Sequence, residues 1–388
     1  MRPDAEMLRA TLSDVSTTLG PRPAASPAEQ HAAAWVDERL RAAGYTPQRQ
    51  SFRTSDHLSK RLLPNLLLIT AALGAGLVVG RGPRALLGLL SLGLAWQYRH
   101  ILQGGRPPWD DVLSNETSEN IVLRINPARA THQRLVIAAP LDSTVSRFAN
   151  RPYLRAWVPH VLATAEVTAW SGGLLSLLAT DDQRDTATHP WRVGTACFAL
   201  GLGVLAALDA MGETQHNAAN AAELAVLVSL AEALAAQPLQ QTEVWLVFSG
   251  AGSVAGAGME AFLQAYAGLL QDAPFVVLDH VGGGELAWVT EHRLSDTIRY
   301  SPPAQMHAWA TRVAAQLPAA GIMGRALNTT DLTAVIRRHG GSALCLKGYD
   351  RASGMPPSDD DYSPDAALKA ATFTAALLRD YDRRGGLA

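Results

Sequence analysis

Between Leu62 and Gly80 the chain carries no charged residue, and between Ala85 and Tyr98 it again carries none, with only the turn Arg81-Gly82-Pro83-Arg84 separating the two stretches. A helix needs about 20 apolar residues to cross a bilayer, within a range of roughly 17 to 25. Leu62–Gly80 also lacks the polar stripe of a helix laid on a soluble core, since Asn65 and Thr70 are its only polar side chains. A second pair follows: Ala156–Thr180, interrupted by the ionisable residues His160 and Glu166 alone, then Val193–Leu208, with the polar loop Asp181–Trp191 between them. The pattern predicts two inserted apolar helical hairpins, 61–104 and 156–210, embedded in a membrane.

Trp96, Tyr98, Trp157, Trp170 and Trp191 lie near the ends or loops of these segments, where interfacial anchors belong. Lys60, Arg61, Arg99, Arg106, Arg151 and Arg155 flank the hairpins on one side. The tips hold Arg81, Arg84, Arg184 and Arg192, the second tip also Asp181, Asp182 and Asp185. By the positive-inside rule this places the remaining chain in the cytoplasm. The opening MRPDAEMLRATLSDVSTTLG is acidic and amphipathic, without the layout of a signal peptide.

Over the whole chain, 33 basic against 35 acidic residues give a formal charge of -2, which offers no broad basic face to a nucleic acid. Cys197 and Cys345 sit in apolar runs without CxxC or zinc-knuckle spacing and read as small core residues. Met7, Leu8, Leu12, Val15 and Leu19 recur at helical spacing up to Gly20-Pro21, and Ser26 with Pro27 opens a second helix. Strands are predicted over Asn120–Ile125, Leu135–Ala139, Val244–Ser249, Phe275–Asp279 and Ala343–Lys347. Helices are predicted over Asn217–Leu234, Gly258–Leu270, Ala304–Leu317, Asp331–Arg338 and Pro364–Tyr381. This alternation predicts an α/β three-layer sandwich with a mostly parallel central sheet, assembled from segments 1–60 (two helices and a first strand), 105–155 and 211–388. Working residues in such sheets lie where strand ends meet loops.

Leu19-Gly20-Pro21-Arg22-Pro23-Ala24-Ala25-Ser26-Pro27 resembles the GPRPxGSP signature of the M28 family of zinc aminopeptidases, and Ser118-Glu119-Asn120-Ile121-Val122 is similar to that family's SxNVV strand. The likeness continues through the strand ends to the last helix, and its bacterial members with inserted membrane hairpins are the best match. It implies a zinc-exopeptidase fold with a site in which two divalent ions polarise a peptide carbonyl and bind the attacking water, a neighbouring Glu taking the proton.

At the positions that the resemblance assigns to this chemistry, the chain departs from the family. HxDS stands as Pro140-Leu141-Asp142-Ser143, with Pro140 at the ligand histidine and Asp142, which orients in the family, kept. DNASG stands as His216-Asn217-Ala218-Ala219-Asn220, with His216 at the bridging aspartate. The adjacent glutamates, one the general base and one a ligand, are Gly252 and Ser253. Asp279, in Leu278-Asp279-His280, keeps a ligand position; Asp331 remains from SDH without its histidine; and Pro356 stands at the last ligand histidine.

Loss of the base alone costs roughly a hundred- to ten-thousandfold in rate. The expectation is therefore a membrane-associated, catalytically inactive peptidase homologue that acts by binding, scaffolding or regulation. Its partners would be the membrane and a peptide or membrane protein, its pocket would hold Asp142, His216, Asp279, His280 and Asp331, and no cofactor would be bound. One alternative is an active metallo-aminopeptidase or amidohydrolase with a single zinc ion held by His216 and Asp279, aided by Asp142 or His280. Another comes from Gly250-Ala251-Gly252-Ser253-Val254-Ala255, a GxGxxA turn between strand and helix that fits a dinucleotide fingerprint. Asp359-Asp360-Asp361 reads as a solvated acidic loop before the last helix.

Overall fold

The computed structural model describes residues 4–113, 115–143, 157–179, 188–210, 221–329, 331–351, 354, 356–357 and 362–387. Its first two helices each start on a side-chain cap. Asp4 accepts from the amides of Glu6 (2.9 Å) and Met7 (3.3 Å) to open α1 (Ala5–Thr18), and Ser26 accepts from Glu29 N (3.2 Å) to open α2 (Pro27–Ala42), with Pro27 in its first turn.

The strands are β1 (Gln48–Thr54), β2 (Glu116–Ile125), β3 (Gln133–Pro140), β4 (Thr242–Ser249), β5 (Pro274–Asp279), β6 (Glu285–Arg293), β7 (Arg299–Tyr300), β8 (Met323–Leu327) and β9 (Ser342–Tyr349). They form one sheet in the order β1-β2-β4-β3-β5-β9-β6-β7, with β8 beside β6. The centre, β4-β3-β5-β9, is parallel, whereas β1, β2, β6 and β7 pair antiparallel on the flanks. Residues 280–284 alone join β5 to β6, far short of the dozen or more residues that a parallel return needs, so the chain reverses there. β6 and β8 escape the sequence pattern because sheet-flank strands such as Glu285–Arg293 mix charged with apolar positions.

Period-two alternation divides the central strands between two cores. Val244, Leu246 and Phe248 of β4, with Val276 and Leu278 of β5, face the core that includes Val36 of α2, Leu227 of α8 (Ala222–Ala236), Trp309 of α10 (Ala304–Gln316) and Phe373 of α12 (Pro364–Arg384). Trp245 and Val247, with Phe275 and Val277, face Met259 and Phe262 of α9 (Ala257–Tyr266) and Val335 of α11 (Thr333–Arg338). This is the three-layer sandwich expected from the sequence, its sheet parallel at the centre and mixed overall. Asp279 and Lys347 continue the alternation of β5 and β9 on the α9 side. α9 stops at Tyr266, whose carbonyl accepts from Leu269 N and Leu270 N in a turn, instead of running on to Leu270.

Four long helices lie outside the sandwich: α3 (Leu58–Val78), α4 (Arg81–Leu102), α6 (Val158–Leu178) and α7 (His189–Ala210), with the one-turn α5 (Asp110–Leu113) between the pairs. α3 packs on α4 and α7, and α4 packs on α6. Gly88 lies so close to α6 that a Cβ there would stand 2.8 Å from Gly173 O. Asn65 donates to Leu94 O (3.1 Å) and Ser91 to Ala169 O (3.0 Å), so these polar groups turn inward. Leu67, Leu86, Leu89, Val167, Leu174, Phe198, Leu200 and Val204 face outward, each about half exposed or more. Leu58–Val78, Val158–Leu178 and His189–Asp209 are long and apolar enough to cross a membrane. At its base the bundle joins the sandwich through Leu62, Tyr98 and Ile101 packed on Leu294 and Ile298, and through the buried Arg61–Asp110 ion pair, with Arg61 also donating to Val254 O (3.1 Å).

Candidate functional site

The loop after β4 is shaped by contacts that leave no room for a larger backbone. Ala251 and Ala255 adopt positive φ (48° and 52°), and a Cβ on Gly250 would lie 2.4 Å from Glu119 O. Four successive amides of this loop are taken: Gly250 N by Asn120 Oδ1 (3.0 Å), Ala251 N by Glu29 Oε1 (2.6 Å), Gly252 N by Asp142 Oδ1 (2.6 Å) and Ser253 N by Asp142 Oδ2 (2.9 Å). A dinucleotide fingerprint needs such amides for phosphate, and here protein carboxylates and an amide oxygen hold them. Burial, then the nearby Asp142 charge, pushes the Glu29 carboxyl up to about 8, and burial also raises Asp142. The buried Arg22 guanidinium stands near Glu29, Asp142 and Glu223, and donates to Leu141 O (3.0 Å).

A different arrangement closes β5 and β9. Their parallel register sets Asp279 beside Lys347, and the Lys347 ammonium pairs with Asp279 Oδ2, both side chains buried. His280, at φ 53°, donates its backbone amide to Glu223 and sets Nδ1 2.6 Å from Asp279 Oδ1. Burial would raise Asp279, yet the charges of His280 and Lys347 hold it well below the ordinary carboxylate range. Lys347 is raised: burial is the largest influence and opposes its charge, but Asp279, Cys345 and Asp331 together outweigh it. Glu223, in the apolar helix α8, is raised well above the usual range by burial and by Asp279. Asp331 Oδ2 lies 3.0 Å from His292 Nδ1, and against burial that histidine holds it down at about 2.

Two groups of ligand-type side chains meet at Asp279: Glu223 with Asp279 and His280, and Asp279 with Asp331 and Cys345, each with one ligand atom per residue within 4.8 Å of the others. The first fits a metal ion. It offers two carboxylates and an imidazole, a donor set that zinc takes, and Glu223 Oε2 is buried without a hydrogen-bond partner among the described residues. The second shares its charge with the Lys347 ammonium. The expectation that no cofactor is bound is corrected by this grouping, together with the zinc-dependent enzymes of the same fold named below. Glu223 belongs to no sequence motif, being a glutamate among apolar helix residues, although its place between Ala222 and Leu224 at the start of AELAVLVSLAEALAA was the available signal.

Pro140, Asp142, Gly252, Ser253, Asp279, His280, Asp331 and Pro356, scattered along the sequence, line one cavity of about 330 Å³. Lys347 and Arg293 line it too, and neither was singled out from sequence as a pocket residue. His216, like the acidic run 359–361, lies outside the described residues. Glu223 and Glu29 are not among its lining residues.

No protein-family model matches the chain, and no curated protein sequence matches it. Solved structures do. A Zn-dependent exopeptidase from Parabacteroides distasonis superposes with a TM-score of 0.56 at 10% identity, over 98% of this chain and 99% of its own. A glutaminyl cyclase from Porphyromonas gingivalis gives 0.56 at 12% identity, over 97% and 98%. A zinc aminopeptidase from Bacillus subtilis gives 0.54 at 12% identity, over 97% and 95%. At such identities the likeness establishes the zinc-exopeptidase-like fold.

Proposed function

We propose that this chain is a membrane-associated relative of the M28 aminopeptidases that holds one zinc ion at Glu223, Asp279 and His280, and binds an amine- or amide-bearing ligand without hydrolysing it. The observation that carries the reading is the loop after β4. Where a proton-accepting carboxylate would stand, Gly252 and Ser253 instead donate their amides to Asp142, which thereby spends both oxygens. A bound zinc ion would act as a Lewis acid towards a ligand carbonyl or amine. The chain's own residues do the rest: Asp279 stays ionised, Lys347 neutralises the Asp279–Asp331 side of the cavity, and His280 is held by its backbone bond to Glu223. The wide outward apolar surface of the bundle supports the membrane placement.

The test is elemental analysis of the purified full-length protein in detergent, with peptidase assays on aminoacyl amides and cyclase assays on a peptide beginning with glutamine. One zinc per chain, lost in Asp279→Asn and Glu223→Gln, with no turnover, is expected. Turnover abolished by Asp279→Asn would replace this reading with that of an enzyme running on an altered single-metal site.

A further inference from the structure

The cavity is built from two unlike halves. Its floor is made of the strand-end residues, and its roof is made of the bundle: Leu58 and Leu62 open α3, Leu102 closes α4, Val158 and Leu162 open α6, and Asp209 lies in the last turn of α7. All four bundle helices therefore contribute their sandwich-proximal ends. The roof also leads outward, because Val161 and Trp157, next to Leu162 and Val158, are exposed at 39% and 63%, and Leu67 and Leu68 are exposed further along α3 from Leu62. Apolar residues thus run from the roof above a charged floor to the outer surface of the bundle.

The lining has a sign. Asp56, Asp142, Asp209, Asp279 and Asp331 stand against Arg293 and Lys347, with His57 and His280 beside them; Lys60 pairs with Asp56 (2.7 Å) from outside the lining, so these carboxylates outnumber the Lys and Arg side chains five to three. A low-dielectric wall around an acidic excess favours a cation. An extended peptide is a poorer fit, because strand-like binding needs an unpaired sheet edge. β3, β4, β5 and β9, whose ends form the floor, are each paired on both sides. The volume suits a compact headgroup and not a folded chain terminus.

We propose that the ligand of this cavity is a lipid-type amphiphile with an amine head, entering from the bilayer between α3 and α6, its head on the acidic floor and its hydrocarbon chain along Leu62 and Leu162. This rests on the membrane-associated binding reading above and names the ligand class for the same site. The chain length beyond the roof lies in lipid, so each further methylene adds no contact with the protein.

The experiment reconstitutes the full chain in phosphatidylcholine nanodiscs containing equal mole fractions of octadecylamine and octadecanol, and reads bound ligand by native mass spectrometry, with zinc measured in the same sample. Octadecylamine occupancy at least tenfold above octadecanol is expected, falling at least fivefold in Leu162→Trp, which fills the roof, and in Asp209→Asn, which removes a lining charge. Two variants on different elements guard against misfolding of either, and each is accepted only with the wild-type unfolding temperature. Equal occupancy by amine and alcohol, or full occupancy retained in both folded variants, overturns the proposal. Displacement of the amine by millimolar leucinamide or by a membrane-anchored peptide with a free N-terminus also overturns it, in favour of a peptide ligand. Stoichiometric zinc in a sample that fails these tests leaves the metal reading standing, whereas absent zinc with selective amine binding upholds the lipid ligand and removes the metal.

Discussion

The loop after β4 and the paired ends of β5 and β9 neutralise buried carboxylates in opposite ways. After β4, backbone amides surround Asp142 and Glu29, a solution locked into main-chain geometry at 2.6–2.9 Å. After β5, side chains surround Asp279: the Lys347 ammonium and the His280 ring. Amides cannot leave without unfolding the loop, but a side-chain cation can be exchanged for another cation. The difference teaches where this fold can exchange one cation for another and where its buried carboxylates are fixed by the main chain.

The largest expected effect comes from breaking the second arrangement. Lys347→Met strands Asp279 in the interior and is expected to cost about 3–5 kcal/mol in chelator, since removing one partner of a buried pair leaves the other uncompensated. Zinc added to that variant should restore more stability than it gives the wild type, because a vacated cation position takes up metal. Urea unfolding with and without zinc measures this; an unchanged or smaller zinc effect in the variant would show that Lys347 does not stand in a cation position.

The first arrangement is sharpened by pH. Glu29, raised to about 8 in the folded chain from an ordinary 4.5, contributes stability that is complete below the unfolded value and is lost as pH rises towards about 8. Asp142 and Glu223 are shifted in the same direction. Asp279 is shifted the other way, so its contribution is present above the ordinary aspartate value and falls away in acid. Between pH 5 and 8, unfolding free energy in chelator should therefore drop by about 2–4 kcal/mol, and Glu29→Gln should flatten that slope. A slope identical in the variant would remove Glu29 as its source.

The smallest expected effect probes the room at Gly252 in the loop after β4. A Cβ on Gly252 would stand 2.9 Å from Pro140 Cβ and 3.1 Å from Asp142 Oδ1. Gly252→Ala should cost about 1–3 kcal/mol through overpacking, read from the shift in urea midpoint. A neutral result would mean the loop moves freely and retains space for a glutamate.

Much of the sandwich was legible because its central strands are short apolar runs and its helices carry caps such as Ser26 with Pro27. The cavity positions were legible through motif order, which needs no knowledge of pairing. Lys347 and Glu223 were not, for a physical reason: their importance comes from parallel register and from a helix crossing behind β5, neither of which leaves a local pattern. Asp279 and Lys347 become neighbours only once β5 and β9 align, and the ELAWVTEHR strand that flanks β9 does not advertise itself either.

The pairing of α3 with α7 bears on how the chain is made. α3 is complete at Val78, while α7 begins only at His189, with β2, β3 and α6 emerging between them. During synthesis the first apolar pair must therefore wait without its α7 partner until the later pair emerges. The cavity roof, which takes a contribution from each of the four helices, is therefore complete only once α7 has emerged, yet still ahead of β4, β5 and β9, which supply the floor. Any ligand that stabilises it would act on newly made chains as an assembly aid before it acts on finished ones.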